Sequence, residues 1–195
     1  MHPTALVDPK DPINLTKFLG PEALRGSGVI MLNARGERFV NELDRRDLVS
    51  AEIAKHGQLY RPTLTSQQQQ QGGLSAPQSV AYLLLNGAAA HEFGQSMLDF
   101  YCKKGLIQKF ASLNEVAQHI GPLCHLEDLQ RTLSDYTAAA AAGHDKFGKT
   151  VFPVKKFDEV GPFWVAIVTP AVNLKEEASC ISCDRGNIHI RISCV

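Results

Sequence analysis

The amino-acid sequence predicts an α+β domain. Short apolar runs closed by Gly, Asn or Pro alternate with stretches whose apolar residues recur at three- and four-residue steps. The bulk numbers agree, because 195 residues with 44% hydrophobic content suffice for one domain with a real core. Twenty Lys plus Arg against 20 Asp plus Glu give a formal net charge of zero. That balance removes the electrostatic footprint of a nucleic-acid or membrane-surface binder, and neither partner is expected. No run approaches the roughly 18 apolar residues that cross a bilayer, and Met1-His2-Pro3-Thr4 lacks a signal-peptide pattern. A soluble, intracellular chain is expected. Its odd set of cysteines, Cys102, Cys124, Cys180, Cys183 and Cys194, is expected to be reduced.

The elements follow in order. Val29 to Leu32, a turn over Asn33 to Glu37 with Gly36, and Arg38 to Val40 predict a hairpin. Asp47 is expected to cap a helix carrying Leu48, Val49, Ala51, Ile53 and Ala54, closed by Gly57 at positive φ. Residues 66–73, with glutamine from Gln67 to Gln71, are polar and low in complexity and predict a surface insertion. Val80 to Leu85 predicts a buried strand closed by Asn86-Gly87, followed by a helix over 88–101 and a strand over 106–110. Ser112-Leu113-Asn114-Glu115 has the form of a capping box. Leu126, Leu129, Leu133, Tyr136 and Ala140 mark an amphipathic helix ending at Gly143.

Several features resemble chemical motifs without meeting their requirements. Gly26-Ser27-Gly28 opens like a dinucleotide fingerprint, but Met31 stands at the third glycine and a strand follows, so turn glycines are expected. Cys180-Ile181-Ser182-Cys183 is a lone C-x-x-C without further ligands. His2, His56, His91, His119, His125, His144 and His189 show no metal-ligand spacing, and no metal is expected. From Arg35 to Asp47, acids and bases are equal in number, which by itself predicts a solvated, self-neutralised face. A second acid and base, Glu22 and Arg25, stand three residues apart, a pairing distance on a helix. With Arg45-Arg46-Asp47 they could form a buried proton relay.

His2-Pro3-Thr4, Pro21-Glu22-Ala23-Leu24-Arg25-Gly26, Gly36 to Leu43 with Arg46-Asp47, and Val168-Thr169-Pro170-Ala171-Val172 occur in this order. Together they resemble the soluble fumarate reductases of the succinate dehydrogenase and fumarate reductase flavoprotein family. The soluble NADH-dependent members of protists and fungi are the most similar, and the resemblance spans 1–172. It implies reduction of fumarate to succinate, with hydride from the FAD N5, a proton from an arginine and electrons from NADH in the full-length enzyme. Carried over residue by residue, Arg46 is the proton donor and Glu22 and Arg25 the relay behind it. His2 and Glu22 fall at substrate-binding positions, with His2 against a substrate carboxylate. A guanidinium, with a pKa above about 12, is a poor acid, but a carbanion-like partner is a strong enough base to accept its proton when the donor is held at the carbon and replenished.

The departures carry expectations too. Many relatives have Thr where Pro21 stands, and proline offers no hydroxyl to a carboxylate. Beyond Val172 the family's His-Tyr-Thr-Met-Gly-Gly type run is replaced by Asn173-Leu174-Lys175-Glu176-Glu177. The glycine-rich nucleotide-binding half and a second substrate arginine are also missing. The chain is therefore expected to be a fragment, centred on the substrate-capping (clamp) domain with part of the flavin-domain hairpin. Residues 1–50 are assigned to the flavin domain, 51–164 to the clamp, 165–172 to a return strand and 173–195 to a non-matching tail. Such a fragment is not expected to retain FAD or to act alone. The alternatives are a non-catalytic α+β interaction module and a related flavoenzyme acting on another dicarboxylic or unsaturated acid.

Overall fold

The computed structural model describes residues 2–12, 14, 16–60 and 78–171. The expected insertion at 66–73, the C-x-x-C and the tail from 173 lie outside the described residues. Helices and strands are mixed along the chain, in line with the α+β expectation. The strands are β1 (His2–Leu6), β2 (Phe18–Leu19), β3 (Ile30–Leu32), β4 (Gln58–Tyr60), β5 (Gln78–Leu85), β6 (Ile107–Ser112) and β7 (Val160–Ala171). The helices are α1 (Glu22–Gly26), α2 (Arg46–His56), α3 (Gly87–Phe93), α4 (Gln95–Lys103), α5 (Leu113–Ile120) and α6 (Leu126–Ala142).

All strand pairs are antiparallel, in the order β2-β1-β7-β5-β3, with β4 on β5 and β6 on β7. The long strand β7 organises the sheet, pairing with β6 through its first half, β5 through its middle and β1 through its end. Phe163 to Thr169 are buried without a break, as are Val80 to Leu85, because these central strands are covered on both faces. Helix α2 packs Val49 and Ile53 onto the sheet, where β1, β5 and β7 meet it. The domain boundaries expected at 50/51 and 164/165 fall inside α2 and β7.

Several local expectations need correction. The hairpin's second arm is reduced to one bridge, Leu32 to Arg38, although the turn forms with Gly36 at φ 75°. The reason is a side chain: Met31 N–H donates to the Glu42 carboxylate at 3.1 Å, replacing a ladder bond. Helix α2 begins at Arg46 with Arg45 at its N-cap and no side-chain cap, so Asp47 is not the cap. Asp47 instead sits in the first turn, where a negative charge suits the helix dipole, and pairs with Arg45. Gly57 has φ −66°, and its need for glycine is steric: a Cβ there would lie 2.4 Å from Ile53 O and 2.8 Å from Val80 O. The single helix expected over 88–101 is broken by Gly94 at φ 95°.

Candidate functional site

Three elements carry the residues singled out from the sequence. His2 opens β1 and pairs with Ala171 of β7. Glu22 and Arg25 lie one turn apart on α1, and Arg46 is the first residue of α2. The fold brings all four together. Arg25 Nη2 donates to Glu22 Oε1 at 2.9 Å, Arg46 pairs with Glu22 Oε2, and Arg46 Nη1 donates to His2 Nε2 at 3.1 Å. One carboxylate thus bridges two guanidiniums. A guanidinium has donors only, so His2 Nε2 is the acceptor and the imidazole proton lies on Nδ1. Of the two ring nitrogens, Nδ1–H is then the donor.

The expectation of a buried relay needs refinement. The Arg25 side chain is 5% exposed, whereas Glu22 is 55% and Arg46 43% exposed, so the cluster runs from an interior cation to an open rim. Arg25 is held from behind, its Nη1 donating to Glu42 O at 2.9 Å and Asp44 O at 3.0 Å. Burial lowers the Arg25 pKa from the usual guanidinium value, and the Arg46 charge adds to this. The hydrogen bond from Arg46 holds Glu22 below the usual carboxylate range. Burial, then the Arg46 charge, hold His2 below its usual 6.5, against a smaller opposing pull from Glu22.

The sequence also predicted a solvated face over 35–47, which holds for the exposed Arg45–Asp47 pair and fails next to it. Glu42 is fully buried, accepting from Arg38 Nε at 2.9 Å, Arg38 Nη2 at 3.0 Å and Lys149 Nζ at 2.7 Å. Arg38 Nη2 also lies 3.0 Å from Asp145 Oδ2, an ionic contact that misses hydrogen-bond alignment. Burial alone would raise the Glu42 pKa, but the Arg38 bonds and the charges of Arg38 and Lys149 outweigh it, and the carboxyl is held below its usual range. Lys149 and Asp145 carried no sequence signal toward this cluster, since Lys149 lies 107 residues from Glu42. A cleft of about 630 Å³ beside the cluster is lined by Arg38, Tyr136 and Phe147, but by none of His2, Glu22, Arg25 or Arg46. Among the described residues, no group of His, Cys, Asp and Glu is arranged to hold a metal, and no helix is long and apolar enough to cross a membrane.

A family model described as an FAD binding domain matches residues 1–174. The chain belongs to the FAD-binding domain family. A Schizosaccharomyces pombe fumarate reductase is 37% identical over 174 residues, covering 89% of this chain and 29% of its own length. A Klebsiella pneumoniae NADH:fumarate oxidoreductase is 29% identical over 159 residues, covering 81% of this chain and 14% of the relative. Among solved structures, the open conformation of a flavocytochrome c3 fumarate reductase superposes with a TM-score of 0.61 at 25% identity, over 86% of this chain and 24% of the other. The chain therefore spans less than a third of the length of these relatives.

Proposed function

We propose that this segment carries the proton-delivering and carboxylate-binding side of a fumarate reductase, working within a longer FAD-dependent flavoprotein whose electrons come from NADH. The observation that carries the reading is the joined His2–Arg46–Glu22–Arg25 constellation, assembled from three elements of an FAD-binding family member. Reducing an alkene requires a hydride at one carbon and a proton at the other. FAD held by the rest of the flavoprotein would supply the hydride. Arg46 donates its proton to the substrate carbon, Glu22 passes one back to Arg46, and the buried Arg25 stabilises Glu22 as its charge changes. The open Glu22 rim lets solvent replenish the relay. His2 Nδ1–H and the guanidinium of Arg46 orient the substrate carboxylates.

The described residues do not themselves fit the FAD pyrophosphate. Gly26-Ser27-Gly28, the one G-x-G among them, leads into β3 and not into a helix N-terminus. The proposal therefore assigns the flavin to the rest of the flavoprotein. The unbroken family match over 1–174, with strands from both ends of that span in one sheet, supports placing the segment within the flavin-binding unit. Activity of this chain alone with fumarate, or purification with stoichiometric flavin absorbance, would overturn that assignment. In the whole flavoprotein, Arg46→Lys should nearly abolish fumarate turnover while leaving flavin content intact, and unchanged turnover would remove Arg46 from its role. Pro21 favours a second reading, another unsaturated or dicarboxylic acid, because the start of α1 presents no side-chain hydrogen bond there. A turnover comparison between fumarate and other such acids separates the two.

A further inference from the structure

Glu42 faces two ways. Its backbone carbonyl, with that of Asp44, receives Arg25 Nη1. Its carboxylate points into the interior and receives Met31 N–H, Arg38 Nε and Nη2, and Lys149 Nζ. These donors occupy both oxygens, so the side chain has one arrangement and the peptide attached to it shares that constraint. The anchors are themselves fixed. Arg38 lies over the Tyr136 and Phe147 rings at 5.0 and 5.3 Å, and Lys149 lies 5.2 Å from the Tyr136 centroid and 5.6 Å from that of Phe152. Asp145 Oδ1 closes the turn that presents Lys149, accepting from Phe147 N and Lys149 N at 2.8 Å each.

A buried ion cluster is not required for stability, since well-packed apolar residues often serve as well or better. What it does supply is a fixed location for a polar group. We propose that Lys149 and Arg38 are positioning residues for Arg25: through Glu42 they hold the carbonyls that aim its guanidinium at Glu22, and so order the Glu22–Arg46 pair. The inference rests on reading His2, Glu22, Arg25 and Arg46 as the proton-delivering site. It extends that site to a residue more than a hundred positions away that is joined to it through Glu42.

The test uses the 195-residue chain with isotope-labelled arginine, following by NMR the rotation of the Arg25 guanidinium about its Nε–Cζ bond. With Nη1 on two carbonyls and Nη2 on Glu22, rotation should be slow in the native chain. In Lys149→Gln it should become about tenfold faster, the effect of weakening one charge-assisted hydrogen bond, and Lys149→Arg should restore the native rate. If Lys149 is only a staple of the core, the urea midpoint falls in Lys149→Gln while the Arg25 rate stays unchanged, which overturns the proposal. Arg38→Lys, which keeps a cation beside Glu42, provides the same comparison should Lys149→Gln fail to fold. The measurement needs neither flavin nor substrate. Failure of Arg46→Lys to impair turnover would therefore refute the functional reading and leave this comparison standing.

Discussion

Replacing Glu42 by leucine removes the central anion of a fully buried cluster, and its cost follows from what is stranded. Lys149 loses the carboxylate it meets at 2.7 Å, Arg38 is left with its misaligned contact to Asp145, and Met31 N–H loses its acceptor. Breaking a buried ion pair from one side costs about 3–5 kcal/mol, and a stranded buried N–H adds about 1–3 kcal/mol. The sum, about 4–8 kcal/mol, is comparable to the total stability of about 5–15 kcal/mol typical of a domain. Urea unfolding followed by circular dichroism should therefore find Glu42→Leu largely unfolded or its midpoint far below the native one. The double variant Glu42→Leu/Lys149→Met, which also removes the stranded ammonium, should be more stable than Glu42→Leu alone. The pH dependence has a definite sign. Because the folded Glu42 pKa lies below the usual 4.5, its contribution is complete above about pH 4.5 and is lost as pH falls through the lower folded value. The gap between native and Glu42→Leu chains should thus close in acid. A cost under about 1 kcal/mol would refute the buried-cluster reasoning, since that is the range of an exposed pair.

In the whole flavoprotein, Arg46→Lys should lower kcat by about a hundredfold or more, the range for loss of a positioned general acid, read in a steady-state fumarate assay. The His2 ring should titrate below 6.5 by NMR, and Glu22→Gln should lower the midpoint further by removing the charge that opposes the shift. Because that pKa is depressed on folding, His2 disfavours the folded state as pH falls through its lowered value. Gly28→Ala should lower the thermal midpoint, because φ is 93° and the new Cβ would lie 2.6 Å from Val154 Cγ2; strain and overpacking together cost about 2–5 kcal/mol. Gly26→Ala, two positions away and facing open space, should be neutral or stabilising by up to about 1 kcal/mol in the same melt.

The parts of the fold set by local patterns were legible in the sequence. Helix α6 follows its apolar periodicity to Gly143, which takes the left-handed conformation at φ 79°. Ser112 accepts from Glu115 N as the capping box requires, although Glu115 reaches Ala111 N, one residue before the cap. Features set by side-chain substitution for backbone were not legible. Nothing in the text around Arg38 to Val40 announces that Glu42 will occupy the edge of β3, or that Lys149 will return to meet it. Gly57 was assigned the wrong reason because torsional freedom and close approach leave the same letter in the sequence. At the site, Glu22 with Arg25 was readable from helical spacing, and their meeting with Arg46 was open as one possible relay, whereas the addition of His2 depends on long-range packing and entered through the family resemblance.

The seating of α2 on β1 gives ordinary core residues a second consequence. Arg46 rides on the helix and His2 on the strand, the two elements pack together, and Val49 and Ile53 of α2 and Leu6 of β1 are buried in one apolar core. The 3.1 Å link between guanidinium and imidazole therefore depends on the thickness of an apolar layer that neither residue belongs to. Trimming one methyl from that layer, as in Ile53→Val, need cost only about 1 kcal/mol of stability. With Arg46 as the proposed proton donor, a shift of less than an ångström in the helix would misplace its guanidinium, and turnover of the whole flavoprotein should register the missing methyl before melting does.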